Sequence, residues 1–237
     1  MARATASGSV ARAELAAAAA LATWNAAINR VVPSPVYVPA NLAAAGLALA
    51  AGRRARVPAA DLGLDPGRAG RGLRVGLAAA VPVVAAVAAG AALPATRRWF
   101  RDERAAGGTG RALYHTLVRI PLGTAVAEET IFRGVLLGML LQRHPTARAA
   151  AVSSVLFGCW HVLPTLDTLA LNPLGKRVGD DPARTGGALV ASVAVTAAAG
   201  LGFSWLRLRS GSLVAPVVVH AALNNSAFAA ARLVSRP

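Results

Sequence analysis

Residues Leu122 to Leu141 read Leu-Gly-Thr-Ala-Val-Ala-Glu-Glu-Thr-Ile-Phe-Arg-Gly-Val-Leu-Leu-Gly-Met-Leu-Leu. The stretch is mostly apolar, and its length fits one helical crossing of a bilayer, which takes roughly 17 to 25 residues. Yet Glu128, Glu129 and Arg133 lie inside it. An ionised side chain at the centre of a membrane helix costs roughly 2.5 to 3.5 kcal/mol on insertion scales, so charge there is rare and is usually compensated or functional. Glu129 and Arg133 are four apart, in the order that lets a helical carboxylate meet a cation on one face. Glu128 points about 100° away around the helix and is left to face a cavity. Desolvation and the repulsion of a neighbouring carboxylate are the influences that turn a carboxyl group into a usable base near neutral pH.

The rest of the chain has the same solvent. Of its 237 residues 55% are hydrophobic and only 15% charged, with a mean hydropathy of +0.52, too apolar for an ordinary water-soluble domain. Other apolar runs are Leu15 to Ile28, Val38 to Ala51, Val75 to Leu93, Ala149 to Leu163, Ala188 to Leu206 and Leu213 to Leu233. Because isolated lipid-facing strands cannot satisfy their backbone, these runs predict helices. The expectation is an all-α, polytopic bundle of about seven spans, one integral membrane domain over residues 1–237, with its site inside the membrane. Trp24, Asn25 and Asn29 argue that the first run, behind Arg3 and Arg12, is an uncleaved span and no signal peptide.

Proline marks the limits: Pro33 and Pro35 precede the second run, Pro94 ends the third, Pro121 precedes the fourth, and Pro145 and Pro164 bracket the fifth. Leu113, Leu117 and Ile120 predict a surface-lying helix before the fourth span. Asp167 to Thr185 reads as a polar loop, and Gly134 with Gly138 as a small-residue pair for close helix packing. The net charge of +15 comes from Arg-rich connections, all basic residues but Lys176 being Arg, and fits loops that meet anionic lipid headgroups. No aromatic-studded basic surface accompanies it, so nucleic acid is not expected as a partner. Lys and Arg sum equally on the two sides of a seven-span chain, so charge does not set its orientation. A single cysteine, Cys159, excludes an intramolecular disulfide and a cysteine metal cluster.

The chain has four glutamates and four histidines, and Glu128, Glu129, His161 and His220 all fall in predicted spans. Phe157 and His161 are four apart, as are His220 and Asn224. At about 1.5 Å per residue, Glu128 lies roughly 9 Å inside the fourth helix, His161 about 3 Å from the end of the fifth and Asn224 about 13 Å from the end of the seventh, all measured from one membrane face. His220 is about 6 Å deeper than Asn224 and joins them only if the last helix is broken, which Pro216 would permit.

Three ordered motifs, Glu-Glu-x-x-x-Arg (Glu128, Glu129, Arg133), Phe-x-x-x-His (Phe157, His161) and His-x-x-x-Asn (His220, Asn224), resemble those of the CPBP family of intramembrane proteases. That family includes the CAAX prenyl endopeptidases and the bacteriocin-processing or self-immunity proteins. The resemblance covers about Leu122 to Leu233 and implies a catalytic set of Glu128, Glu129, Arg133, His161, His220 and Asn224. In it Glu128 activates water with help from His161, His220 and Asn224 stabilise the oxyanion, and Glu129 and Arg133 support the site. A zinc variant would use Glu129, His161 and His220 as ligands with Glu128 as base, so zinc is the one candidate cofactor. The expected partners are membrane lipids and a membrane-associated peptide or protein substrate. The composition resembles translation of a GC-rich genome and suggests a bacterial cell membrane. The alternatives are a non-catalytic scaffold or immunity protein, or an ion-coupled transporter, whose pathway also needs buried Glu and His.

Overall fold

The computed structural model describes residues 2–102, 105 and 107–235, and within these the side chains of all but 2–13, 173, 174 and 177. Arg3 and Arg12 therefore lie outside the described side chains. The described residues are almost wholly helical, with a single antiparallel bridge between Leu64 and Ser212. The helices are α1 (Ala2–Arg30), α2 (Tyr37–Arg54), α3 (Ala69–Ala92), α4 (residues 109–141), α5 (Thr146–Trp160), α6 (Val162–Leu171), α7 (Pro173–Gly179), α8 (Pro182–Ser210) and α9 (Val214–Val234).

Among the described residues five helical stretches are long and apolar enough to cross a membrane: Ser34–Arg54, Pro66–Ala92, Thr146–Leu171, Pro182–Ser210 and Val214–Val234. They match the second, third, fifth, sixth and seventh expected spans. The other two, in α1 and α4, are helical but are not among the five; α4 interrupts its apolar run with Glu128, Glu129 and Arg133. Leu77, Val81, Val190, Val195 and Leu201 stand exposed on the outer faces, as side chains solvated by lipid do. The chain is an integral membrane protein.

Four local expectations change. The stretch containing Leu113, Leu117 and Ile120 is continuous with α4, which runs through Pro121. Around that proline, over His115–Val126, the backbone adopts the wider π form, as it does again over Thr130–Leu136. A wider turn eases the clash between a proline ring and the preceding turn. Pro164 does not end the fifth span. Trp160 closes α5, His161 forms a corner with φ −85° and ψ 0°, and α6 restarts with Pro164 in its first turn, where a missing N–H costs little. Most of the expected polar loop from Asp167 to Thr185 is helical, in α6, α7 and the start of α8, which Asp181 caps through the N–H groups of Ala183 and Arg184.

Gly134 and Gly138, finally, do not pair helix with helix: a Cβ on Gly138 would lie 2.8 Å from the Asp61 carbonyl oxygen in the connection between α2 and α3, and one on Gly134 would lie 3.2 Å from Leu213, just before α9, and 3.3 Å from the Leu62 carbonyl. Close helix pairs form elsewhere: α3 with α9, where a Cβ on Gly76 would lie 2.9 Å from Val218 and 3.0 Å from the Ala215 carbonyl, and α5 with α8, where a Cβ on Gly158 would lie 2.6 Å from the Val193 carbonyl. That α2–α3 connection is a folded strap. Arg207 of α8 donates to the carbonyls of Ala60 and Asp61 at 2.8 Å each, Leu213 N–H donates to Gly63 at 3.0 Å, and Gln142 donates to the Asp61 carboxylate at 2.8 Å. Gly211 supplies the left-handed residue, φ +73°, that ends α8.

Candidate active site

Glu129 and Arg133 are both fully buried, and Arg133 Nη1 donates to Glu129 Oε1 at 3.1 Å, as their spacing predicts. The same carboxylate oxygen accepts from His220 Nδ1 at 2.8 Å. The Arg133 guanidinium lies 4.0 Å from the Phe157 ring centre, 5.2 Å from that of Phe203 and 5.9 Å from that of Phe132. Three ring faces give the cation the attraction that water would otherwise supply. His220 is stacked on Phe203, with centroids 5.0 Å apart and planes 14° apart, and meets the edge of Phe157. Its Nε2 faces Glu128, 4.0 Å from Oε2. If His220 is protonated, the charges of Glu128, Glu129, Arg133 and His220 sum to zero, the arrangement a membrane interior tolerates best.

His220 therefore reaches the carboxylates from an unbroken α9. The depth estimate from sequence placed it too far away because it began the fourth helix at Leu122. The helix in fact begins at Thr109, so Glu128 lies a further 13 residues along it.

Glu128 has a partner that the sequence did not suggest: Trp160 Nε1 donates to its Oε1 at 3.2 Å. The Trp160 carbonyl in turn accepts from Asn25 of α1 at 2.6 Å, which ties the first helix to the site. Oε2 of Glu128 has no hydrogen-bond partner among the described residues. Glu128 lines a cleft of about 750 Å³ together with Trp160, His161, Asn224, Thr124 and Arg119. The corner at residue 161 turns His161 into this cleft, and its Nδ1–H donates to the Phe157 carbonyl at 2.7 Å. A carbonyl only accepts, so a neutral His161 keeps its Nε2 lone pair. The Phe157 ring packs against the imidazole with centroids 4.6 Å apart. Asn224 spends its amide on no described residue, whereas Asn225 donates to the Thr116 carbonyl at 3.2 Å.

All six expected residues thus gather in two layers. Glu128, His161 and Asn224 line the cleft, and Glu129, Arg133 and His220 stand behind Glu128. The zinc set of Glu129, His161 and His220 is not assembled; among the described residues no three His, Cys, Asp or Glu side chains are placed to hold a metal. The physical reason is local, since Arg133 and His220 already share Glu129 Oε1 and a guanidinium there opposes a second cation.

Residues 111–226 match the family of type II CAAX prenyl endopeptidases described as Rce1-like. This segment, just under half of the chain, holds every motif residue, and the match agrees with the resemblance carried by the three motifs. No curated protein and no solved structure matches it. The match supports a CAAX-type intramembrane endopeptidase. The matched segment starts at Arg111, near the true start of α4, and not at Leu122.

Proposed function

We propose that the cleft hydrolyses a peptide bond of a membrane-associated peptide or protein by glutamate-activated water. The observation that carries this reading is Glu128: one carboxylate oxygen is held by Trp160, and the other is unpartnered beside a cleft that His161 and Asn224 also line. In the reaction, water held between Glu128 and His161 Nε2 attacks the carbonyl carbon as its proton passes to Glu128. The carbonyl oxygen becomes an oxyanion. Asn224 Nδ2–H donates to it, while His220, whose Nδ1 Glu129 holds, faces Glu128 from behind. The C–N bond then breaks, and Glu128 returns its proton to the leaving amine. A fixed base and donors aimed at developing charge are the two largest contributions such a site offers.

Each supporting residue has a stated task. Arg133 holds Glu129, Glu129 holds His220, and Trp160 fixes the base. The Arg- and Ala-rich composition fits a bacterial cell membrane as the location. The family name points to a prenylated cysteine peptide as the first substrate to try. Purified wild-type protein is expected to cleave it, and Glu128→Gln to lose that activity while folding normally. In cell membranes, new cleaved termini should accompany wild-type protein and vanish with the variant. Full activity in Glu128→Gln sinks the reading. Loss of activity on chelation, restored by stoichiometric zinc, replaces glutamate-activated water with a metal mechanism.

A further inference from the structure

Apart from the cleft, the bundle has a second hollow. A groove of about 510 Å³ lies between α1, α2 and α4, and Leu47, 73% exposed, stands at its mouth. Its origin lies in the sequence. Here α1 and α2 meet through alanines, Ala17 and Ala20 on one and Ala44, Ala48 and Ala51 on the other, too short to fill the space in front of α4. An unfilled gap forfeits dispersion contacts, and lipid tails, as apolar as leucine, can restore them.

All the lining side chains are apolar, and the one N–H among them, on Trp24, is spent on Asn41 Oδ1 at 3.1 Å. Asn41 also donates to the Gly123 carbonyl of α4 at 3.0 Å. This link crosses all three helices on the cleft side of the groove, so a chain bound beside Glu128 is walled off from it. The open end points towards the strap. From Trp24 to Ala17 on α1, and from Ala44 to Ala51 on α2, the groove follows about 10 Å of helix at roughly 1.5 Å per residue. One leaflet of hydrocarbon is about 15 Å deep, half of the roughly 30 Å core, so the groove has the reach of one acyl chain of the strap-side leaflet.

Free cations stand at that end. Arg54 closes α2 three residues beyond Ala51, on the groove's side, and Arg143 follows α4 four residues beyond Met139. Both are exposed, and neither pairs with a carboxylate among the described residues. The carboxylates of this end are already held, Glu14 by His144, Asp61 by Gln142 and Asp65 by Arg68. An apolar slot with free guanidinium groups at its outer end complements a phosphate that carries a hydrocarbon tail.

We infer that the groove between α1, α2 and α4 binds an anionic phospholipid of the strap-side leaflet, with one acyl chain in the slot and the headgroup phosphate on Arg54 and Arg143. The lipid stands in for the side chains that α1 and α2 lack. The inference is independent of the proteolytic reading.

The test places the full chain in phosphatidylcholine nanodiscs with a minor share of phosphatidylglycerol that carries a diazirine on one acyl chain, and maps the cross-linked residues by peptide mass spectrometry. Labelling of Leu47 and Met139 is expected to exceed that of the lipid-facing Leu77 and Val190 by about tenfold or more, and unlabelled phosphatidylglycerol, but not phosphatidylcholine, should compete it away. Arg54→Gln combined with Arg143→Gln should bring the groove down to the level of Leu77. Ala48→Phe, which fills the slot, should do the same with both arginines in place; if that variant does not fold, the arginine pair decides alone. Even labelling of all four residues overturns the inference, as does equal competition by phosphatidylcholine or labelling that survives the arginine changes. Competition by S-farnesylcysteine alone would give the groove to a substrate's prenyl chain, and protection of the groove in a protein that migrates as a dimer would give it to a second copy. Either result overturns the lipid assignment.

Discussion

Two buried arginines are held by partners of different kinds. Arg133, 0% exposed, spends one nitrogen on Glu129 and sits among phenylalanine rings; its Nε and Nη2 have no hydrogen-bond partner among the described residues. Arg207, 4% exposed, spends Nη2 on two backbone carbonyls of the α2–α3 strap. Carbonyls cannot change charge, so the Arg207 end is fixed chemistry. Glu129 and His220 can both take up or release a proton, so the Arg133 end is fixed in geometry but reactive.

The sharpest way to break this comparison is at the reactive end. Glu128→Gln should lower kcat by about 10²- to 10⁴-fold, the usual loss when a general base is removed, with thermal unfolding in detergent little changed. Arg133→Gln leaves Glu129 buried beside an amide, and unfolding should show a loss of about 3 to 5 kcal/mol together with loss of cleavage. At the other end, Arg207→Gln should cost about 1 to 3 kcal/mol by the same unfolding measurement, with cleavage per folded molecule retained. A comparable loss of turnover in Arg207→Gln would mean that the strap also shapes the cleft. Smallest is Trp160→Phe, which keeps the ring but removes the donor to Glu128 Oε1; kcat should fall about tenfold with KM nearly unchanged.

The same contrast explains what could be read from sequence. Glu129 and Arg133 are four residues apart on one helix, so helical geometry alone pairs them. Phe157 with His161 and His220 with Asn224 were legible for the same reason, and most spans were legible because membrane helices must be long and apolar. Arg207 was invisible, since its acceptors are backbone carbonyls 146 and 147 positions away and carry no side-chain signature. Phe203, the stacking partner of His220, looks like any apolar residue of a span. Trp160 went unread, although a buried indole N–H needs an acceptor and this one adjoins His161 in sequence. The depth of His220 was misjudged through one helix start, placed at Leu122 by a proline that α4 absorbs in its widened turns.

The strap between α2 and α3 also sets a timetable for biosynthesis. Its carbonyls at Ala60, Asp61 and Gly63 receive their donors from Arg207 and Leu213. At the usual pace of a ribosome, 147 residues take on the order of 10 s. For that interval the first helices wait in the membrane with this connection unclosed. A nascent chain that ends before Arg207 therefore has the strap packed on α4 through Gln142 but its carbonyls still without these donors.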